Sequence, residues 1–120
     1  MYNVVNWFEI PTANLDRAVA FYESMLGTRL KREVFGGTPH AMFLGEENAA
    51  GALIQDAKRK PSLEGSLVYL NARKDIDGCI DRAAKAGGRV VLPKTDIGDP
   101  GFIAIVADTE GNHVALHTER

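Results

Sequence analysis

Asn14-Leu15-Asp16-Arg17-Ala18-Val19-Ala20-Phe21-Tyr22-Glu23-Ser24-Met25-Leu26-Gly27 is the stretch on which the fold turns. Asn14 offers a side-chain oxygen as an N-cap. Leu15, Ala18, Val19, Tyr22 and Leu26 recur at helical spacing, and Gly27 supplies a left-handed stop. Val4 to Ile10 before it reads as a strand, with Pro11 ending its ladder. The same layout returns at Asp75-Ile76-Asp77-Gly78-Cys79-Ile80 through Gly88. Leu15 answers to Ile76, Asp16 to Asp77, Val19 to Ile80 and Gly27 to Gly88. The half-chains also end alike, Gly51-Ala52-Leu53-Ile54-Gln55 against Gly111-Asn112-His113-Val114-Ala115. A unit too small to bury a core alone must dock on its copy, so function is sought between the halves.

Outward from the helices, strands fit Arg29–Phe35, His40–Leu44 and Gly51–Gln55, split by Gly36-Gly37 and Gly45-Glu46-Glu47-Asn48. Lys58 to Pro61 reads as a solvated linker. Ser66–Ala72, Arg89–Pro93, Phe102–Ala107 and His113–Thr118 then complete the second unit, with turns at Asp99-Pro100-Gly101 and Glu110-Gly111-Asn112. The expected organisation is one domain holding two strand-helix-strand-strand-strand modules, about residues 1–57 and 65–120, with a linker at about 58–64. A ferredoxin-like dimeric barrel would need roughly one strand fewer per unit, and the Gly-rich hairpins closing each half argue against it.

Bulk properties exclude more than they name. The 120 residues suit one compact domain, and 45% hydrophobic with 25% charged content is ordinary for a globular chain. A formal charge of -2 with scattered Lys and Arg gives no electrostatic case for nucleic acid. No apolar stretch approaches the roughly 20 residues of a membrane span, and Met1-Tyr2-Asn3 lacks the opening of a secretory signal. The single Cys79 cannot form an internal disulfide, which suits a reducing, cytoplasmic setting. Cys79 also falls on the apolar stripe with Ile76, Ile80 and Ala83, as a small core residue. A phosphate-cradling loop is absent, because Phe35-Gly36-Gly37-Thr38 lacks the Lys and the following helix.

Phe8-Glu9-Ile10-Pro11, the helix Leu15-Asp16-Arg17-Ala18-Val19-Ala20-Phe21-Tyr22 ending at Leu26-Gly27, and the closing Asp108-Thr109-Glu110-Gly111-Asn112-His113-Val114-Ala115-Leu116-His117 resemble the vicinal oxygen chelate superfamily. That group includes glyoxalase I, bleomycin-resistance proteins, fosfomycin-resistance enzymes and extradiol dioxygenases. The resemblance covers essentially the whole chain. It implies an α+β fold of two paired βαβββ modules forming a cup-shaped mixed sheet, and a homodimer in which the cup closes within or across subunits. It speaks for the fold more than for one activity.

The resemblance also places metal ligands in the first and last strand of each unit, which here fall on Trp7, Gln55, Leu67 and Ala115. Only Gln55 offers an oxygen, and a catalytic divalent ion normally takes about three ligands from His, Glu, Asp or Cys. The usual metal site therefore reads as empty, and no cofactor is expected. Strand alternation puts Glu9 on the face of Trp7, and His117 on the face of Ala115. Glu9 and His117 are the catalytic candidates, a workable acid–base pair; the plainer reading is an inter-unit hydrogen bond. Trp7, Phe43, Gln55, Leu67, Tyr69, Asn71 and Phe102 are the ligand-binding candidates, an aromatic pocket suited to a small, partly planar organic molecule. His40 reads as a rim residue and His113 as exposed. Three functions follow: a metal-independent binder of a small organic molecule, a divalent-metal lyase, isomerase or dioxygenase with displaced ligands, and a non-catalytic interaction subunit.

Overall fold

Helix α1 spans Leu15–Leu26 and is capped as its residues dictate. The Asn14 side chain accepts from the Arg17 N–H, and Gly27, at φ 67, donates its N–H to the Glu23 carbonyl. Its buried stripe is Leu15, Ala18, Val19, Phe21, Tyr22 and Met25. Helix α2, Ile76–Lys85, buries Ile76, Cys79 and Ala83. The left-handed stop of α2 is Gly87, at φ 100, with Ala86 as its cap. Gly88, matched with Gly27 by spacing, follows the stop instead. The second helix is thus shorter than its counterpart.

The computed structural model describes residues 4–46 and 48–120; the expectations placed on Met1-Tyr2-Asn3 and on Glu47 lie outside the described residues. Strands β1 (Phe8–Pro11), β2 (Lys31–Phe35), β3 (Thr38–Leu44) and β4 (Ala49–Ile54) form one sheet in the order β1-β4-β3-β2. Strands β5 (Tyr69–Asn71), β6 (Arg89–Asp96), β7 (Phe102–Ala107) and β8 (His113–Thr118) form the other, in the order β5-β8-β7-β6. In each, the first strand runs parallel to the last and the rest is antiparallel. The two βαβββ units expected from the repeat are therefore present. The first strand starts later than its apolar run, at Phe8, because Phe8↔Gly51 is its first pair with β4, and it includes Pro11, paired with Ile54.

Each sheet buries one face under its own helix, and the two helices pack on each other. Ile10, Ala41, Phe43 and Leu53 point to the helices from the first sheet, and Leu70, Ala104, Val106, Val114 and Leu116 from the second. Full burial of the larger of these side chains contributes about 1.5–3 kcal/mol each. The repeat is visible in how the helices meet. Phe21 of α1 lies against Gly88, where an added Cβ would sit 2.6 Å from its ring, and the equivalent residue of α2, Arg82, lies over Gly27. Arg82 Nε donates to the Ser24 and Met25 carbonyls, a cation on the carbonyl end of α1.

One loop locks the halves together. The carboxylate of Asp108 accepts from the Tyr22 hydroxyl at 2.6 Å, from the Asn112 side chain, and from the N–H groups of Glu110 and Asn112. Asn112 Nδ2 also donates to the Pro11 carbonyl in the first half. Glu110 accepts from the N–H groups of Ala13 and Asn14 and from Arg17. The Asp-x-Glu-Gly-Asn turn is thus a clasp on the start of α1. Burial, with the charge of Asp108, holds the Tyr22 phenol well above its ordinary range, so it stays a donor.

Candidate functional site

Neighbours across each ladder share a face, so the register sorts the outward side chains. On the second sheet, Tyr69↔Ala115↔Ile105 and Asn71↔His117↔Ile103 face away from the helices. Tyr69, Asn71, His117 and Ile103 line a well of about 490 Å³, closed by Ile97 from the β6–β7 turn. His117 Nε2 donates to the Pro100 carbonyl at 2.7 Å, which leaves Nδ1 as the acceptor of the neutral ring. Asn71 Oδ1 is taken by the Arg73 N–H at 2.7 Å, leaving its amide NH₂ to donate. Tyr69, 52% exposed, adds an aromatic wall and a hydroxyl. One acceptor, one donor and a ring wall around apolar floor residues can orient a planar polar molecule.

The first sheet carries a second polar group on its outward face. Glu9 Oε2 accepts from Trp7 Nε1 at 3.3 Å and lies 3.3 Å from His40 Nε2. His40 is only 8% exposed, with Nδ1 donating to the Thr38 carbonyl at 2.8 Å and its ring edge-on to Phe35. With Nδ1 committed as a donor, Nε2 donates to Glu9 only in the imidazolium form. His40 is therefore a buried partner of Glu9 rather than a rim residue. Strand order explains why spacing did not pair them: β4 lies between β1 and β3, and Ile54 faces both Pro11 and His40.

The sequence-derived candidates divide accordingly. Tyr69, Asn71 and His117 come together in one well. Glu9 and His117 do not: each has its own partner, on a different sheet. Phe43 and Phe102 point to the helix side and not to the outward face. Phe43 packs against Phe8 and Tyr22 at 5.6 Å, and Phe102 alternates with the core residues Ala104 and Val106. Gln55 lies just beyond β4, and its Oε1 accepts the Leu15 N–H at 2.8 Å, so it caps α1 and lines neither sheet face. Trp7 and Leu67 are each 38% exposed and do not line the well. His113 is half-buried at the start of β8, and Cys79 is buried, with burial raising its thiol.

The residues at the metal positions implied by the fold do not fit a divalent ion. The Trp7 indole only donates, Gln55 spends its oxygen on α1, and Leu67 and Ala115 end in carbon. Among the described residues no group of three or more His, Cys, Asp or Glu could hold one. No helix among them is long and apolar enough to cross a membrane.

Two mixed sheets of this topology with the Asp108–Asn112 clasp define a paired βαβββ fold, and comparison with known proteins agrees. Residues 4–116 match the sequence model of the Glyoxalase/Bleomycin resistance protein/Dioxygenase superfamily, and the chain belongs to that family. A protein of Mycobacterium tuberculosis (strain CDC 1551 / Oshkosh), CFP32, described provisionally as a glyoxylase, is 29% identical over 116 residues. That match takes in 92% of this chain but 44% of the relative, so the chain spans less than half of its length. A glyoxalase/bleomycin resistance protein from Albidiferax ferrireducens T118 superposes with a TM-score of 0.71 at 14% identity, over 96% of this chain and 98% of the other. TnmS3, an antibiotic binding protein from Streptomyces sp. CB03234, superposes at 0.67 and 20% identity, over 99% and 98%.

Proposed function

We propose that this protein binds a small, partly planar organic molecule on the outward face of its second sheet, without a metal. The observation that carries this reading is the convergence of Tyr69, Asn71 and His117 on one well of about 490 Å³. The ring of Tyr69 stacks on the ligand, the Asn71 amide donates to it, and His117 Nδ1 accepts from it. Binding of a small organic molecule is within the reach of this fold, which TnmS3, an antibiotic binding protein, shares. The exposed apolar side chains of Trp7, Leu67 and Tyr69 support a homodimer that would cover the outward faces. Light scattering on the eluted protein measures its mass, and a monomer at micromolar concentration counts against this pairing.

The test of binding is a thermal-shift screen with planar aromatic compounds, since a ligand of the native state must raise stability. The expected result is a hit whose shift disappears in His117→Ala and Tyr69→Ala. A hit that survives both substitutions, or no hit at all, defeats the proposal; the second outcome points to the interaction-subunit reading. The metal-dependent alternative needs Glu9, Gln55 and His117 to converge, and within one chain each is engaged elsewhere. Stoichiometric metal in protein purified without chelator would revive it.

A further inference from the structure

A larger cavity lies at the β5 edge of the second sheet, where the end of α1 meets the start of α2, and it shares Tyr69, Leu70 and Asn71 with the outward well. It holds about 880 Å³, within the range of small-molecule sites, and both halves of the chain line it. Phe8, Phe43, Leu26, Leu30 and Leu70 supply an apolar wall, while Arg73, Asp75 and Arg82 supply charge.

The internal repeat explains why a hollow exists here. At the start of α1 the Glu110 turn of the second half makes its hydrogen bonds to Ala13 and Asn14. No described residue of the β3–β4 turn makes the reciprocal bond to the start of α2. The Asp75 side chain does not cap α2 either; it pairs with Arg82 at 3.0 Å.

Arg73 is the unusual residue of this place. It is the one non-glycine residue with positive φ among the described residues, at 57°. A left-handed backbone costs a residue with a Cβ about 1–2 kcal/mol. The conformation is held from both sides: the Arg73 N–H donates to Asn71 Oδ1, and its carbonyl accepts the Thr118 hydroxyl. Its side chain lines the cavity and forms no ion pair among the described residues, whereas the neighbouring Arg82 is already matched by Asp75. Glu46, exposed at the edge given by the β3–β4 turn, is the other charged lining residue and pairs with neither.

We propose that this cavity is a second binding site, for a hydrophobic carboxylic acid whose apolar body packs on Phe8, Phe43 and Leu70 and whose carboxylate pairs with Arg73. A guanidinium and a carboxylate match in shape and charge, a charged hydrogen bond is stronger than a neutral one, and Arg73, an exposed residue, holds its charge at the rim of the apolar wall.

The test titrates 2-naphthoate into the whole protein and follows amide ¹H–¹⁵N spectra, with 2-naphthamide as the uncharged control. Saturable shifts at Leu26, Cys79 and Arg82 are expected, with naphthoate preferred about tenfold over the amide. Arg73→Gln should abolish the preference. Arg73→Gly should abolish it too while holding or raising the melting temperature, because glycine relieves the backbone; a residue kept only for structure would not show that split. Shifts confined to Ile97, Ile103 and His117 would place the probe in the outward well and overturn this site while leaving that one standing. Absence of saturable shifts, or a preference that survives Arg73→Gln, overturns it as well.

Discussion

Replacing Glu110 tests whether the clasp holds the halves together. Its side chain is 0% exposed and takes the Ala13 N–H at 2.9 Å, the Asn14 N–H at 2.8 Å, Arg17 at 2.6 and 3.0 Å, and the Thr109 hydroxyl at 2.9 Å. Glu110→Ala removes every acceptor at once. Arg17 is half exposed and returns to water, so little of the loss comes from the ion pair. The two backbone amides matter more, because a buried donor left unpaired costs about 1–3 kcal/mol. Ala13 and Asn14 are exposed residues, which lets water repair part of the damage. We expect a loss of about 2–4 kcal/mol, a large share of the roughly 5–15 kcal/mol that holds a domain folded. Urea unfolding followed by circular dichroism reads it directly. Glu110→Gln keeps an oxygen for the amides and should lose about half as much. A Glu110→Ala protein within about 1 kcal/mol of wild type would refute the clasp as a stabilising element.

The same carboxylate sets part of the acid limb. Burial alone would raise its pKa, but hydrogen bonds from Arg17, Asn14 and Thr109 outweigh burial and hold it below its ordinary value of 4.5. A lowered folded-state pKa means the contribution is whole above pH 4.5 and is lost as pH falls through the folded value. Glu110→Gln should flatten the stability–pH curve in that window, and an unchanged slope counts against the assignment.

Further substitutions probe the seam and the first sheet. Tyr22→Phe removes one of four donors to Asp108 and orphans no buried group, so about 1–2 kcal/mol should be lost in urea melts. Gly88→Ala drives a methyl to 2.6 Å from the Phe21 ring and 2.8 Å from the Ala107 carbonyl; with Phe21 buried, a cost of about 1–3 kcal/mol is expected in the same assay. His40 in its neutral form should carry its proton on Nδ1, because the Thr38 carbonyl accepts there. Long-range ¹H–¹⁵N spectra report the tautomer, and an Nε2-protonated ring would contradict the geometry.

Much of the candidate site was legible through alternation alone. Tyr69, Asn71 and His117 share one face of the second sheet because side chains along β5 and β8 alternate with a period of two. Phe43 and Phe102 sit at the other parity of their strands and face the helices, since a shift of one residue along a strand turns a side chain to the opposite face. Gln55 stands one residue past the last strand pair, outside that alternation, and its side chain turns back to α1.

Local chemistry, written in order along the chain, was enough for the repeat, the two helices, the caps of α1 and the βαβββ order, since each depends on neighbours a few residues apart. Which side chains meet across strands and between halves was decided only by the tertiary structure. The Glu9–His40 pair, the grip of Glu110 on α1 and the hollow beside Arg73 join residues distant in sequence, and their contacts follow from strand order and helix packing. Periodicity shows which face a residue occupies, but not what lies opposite it.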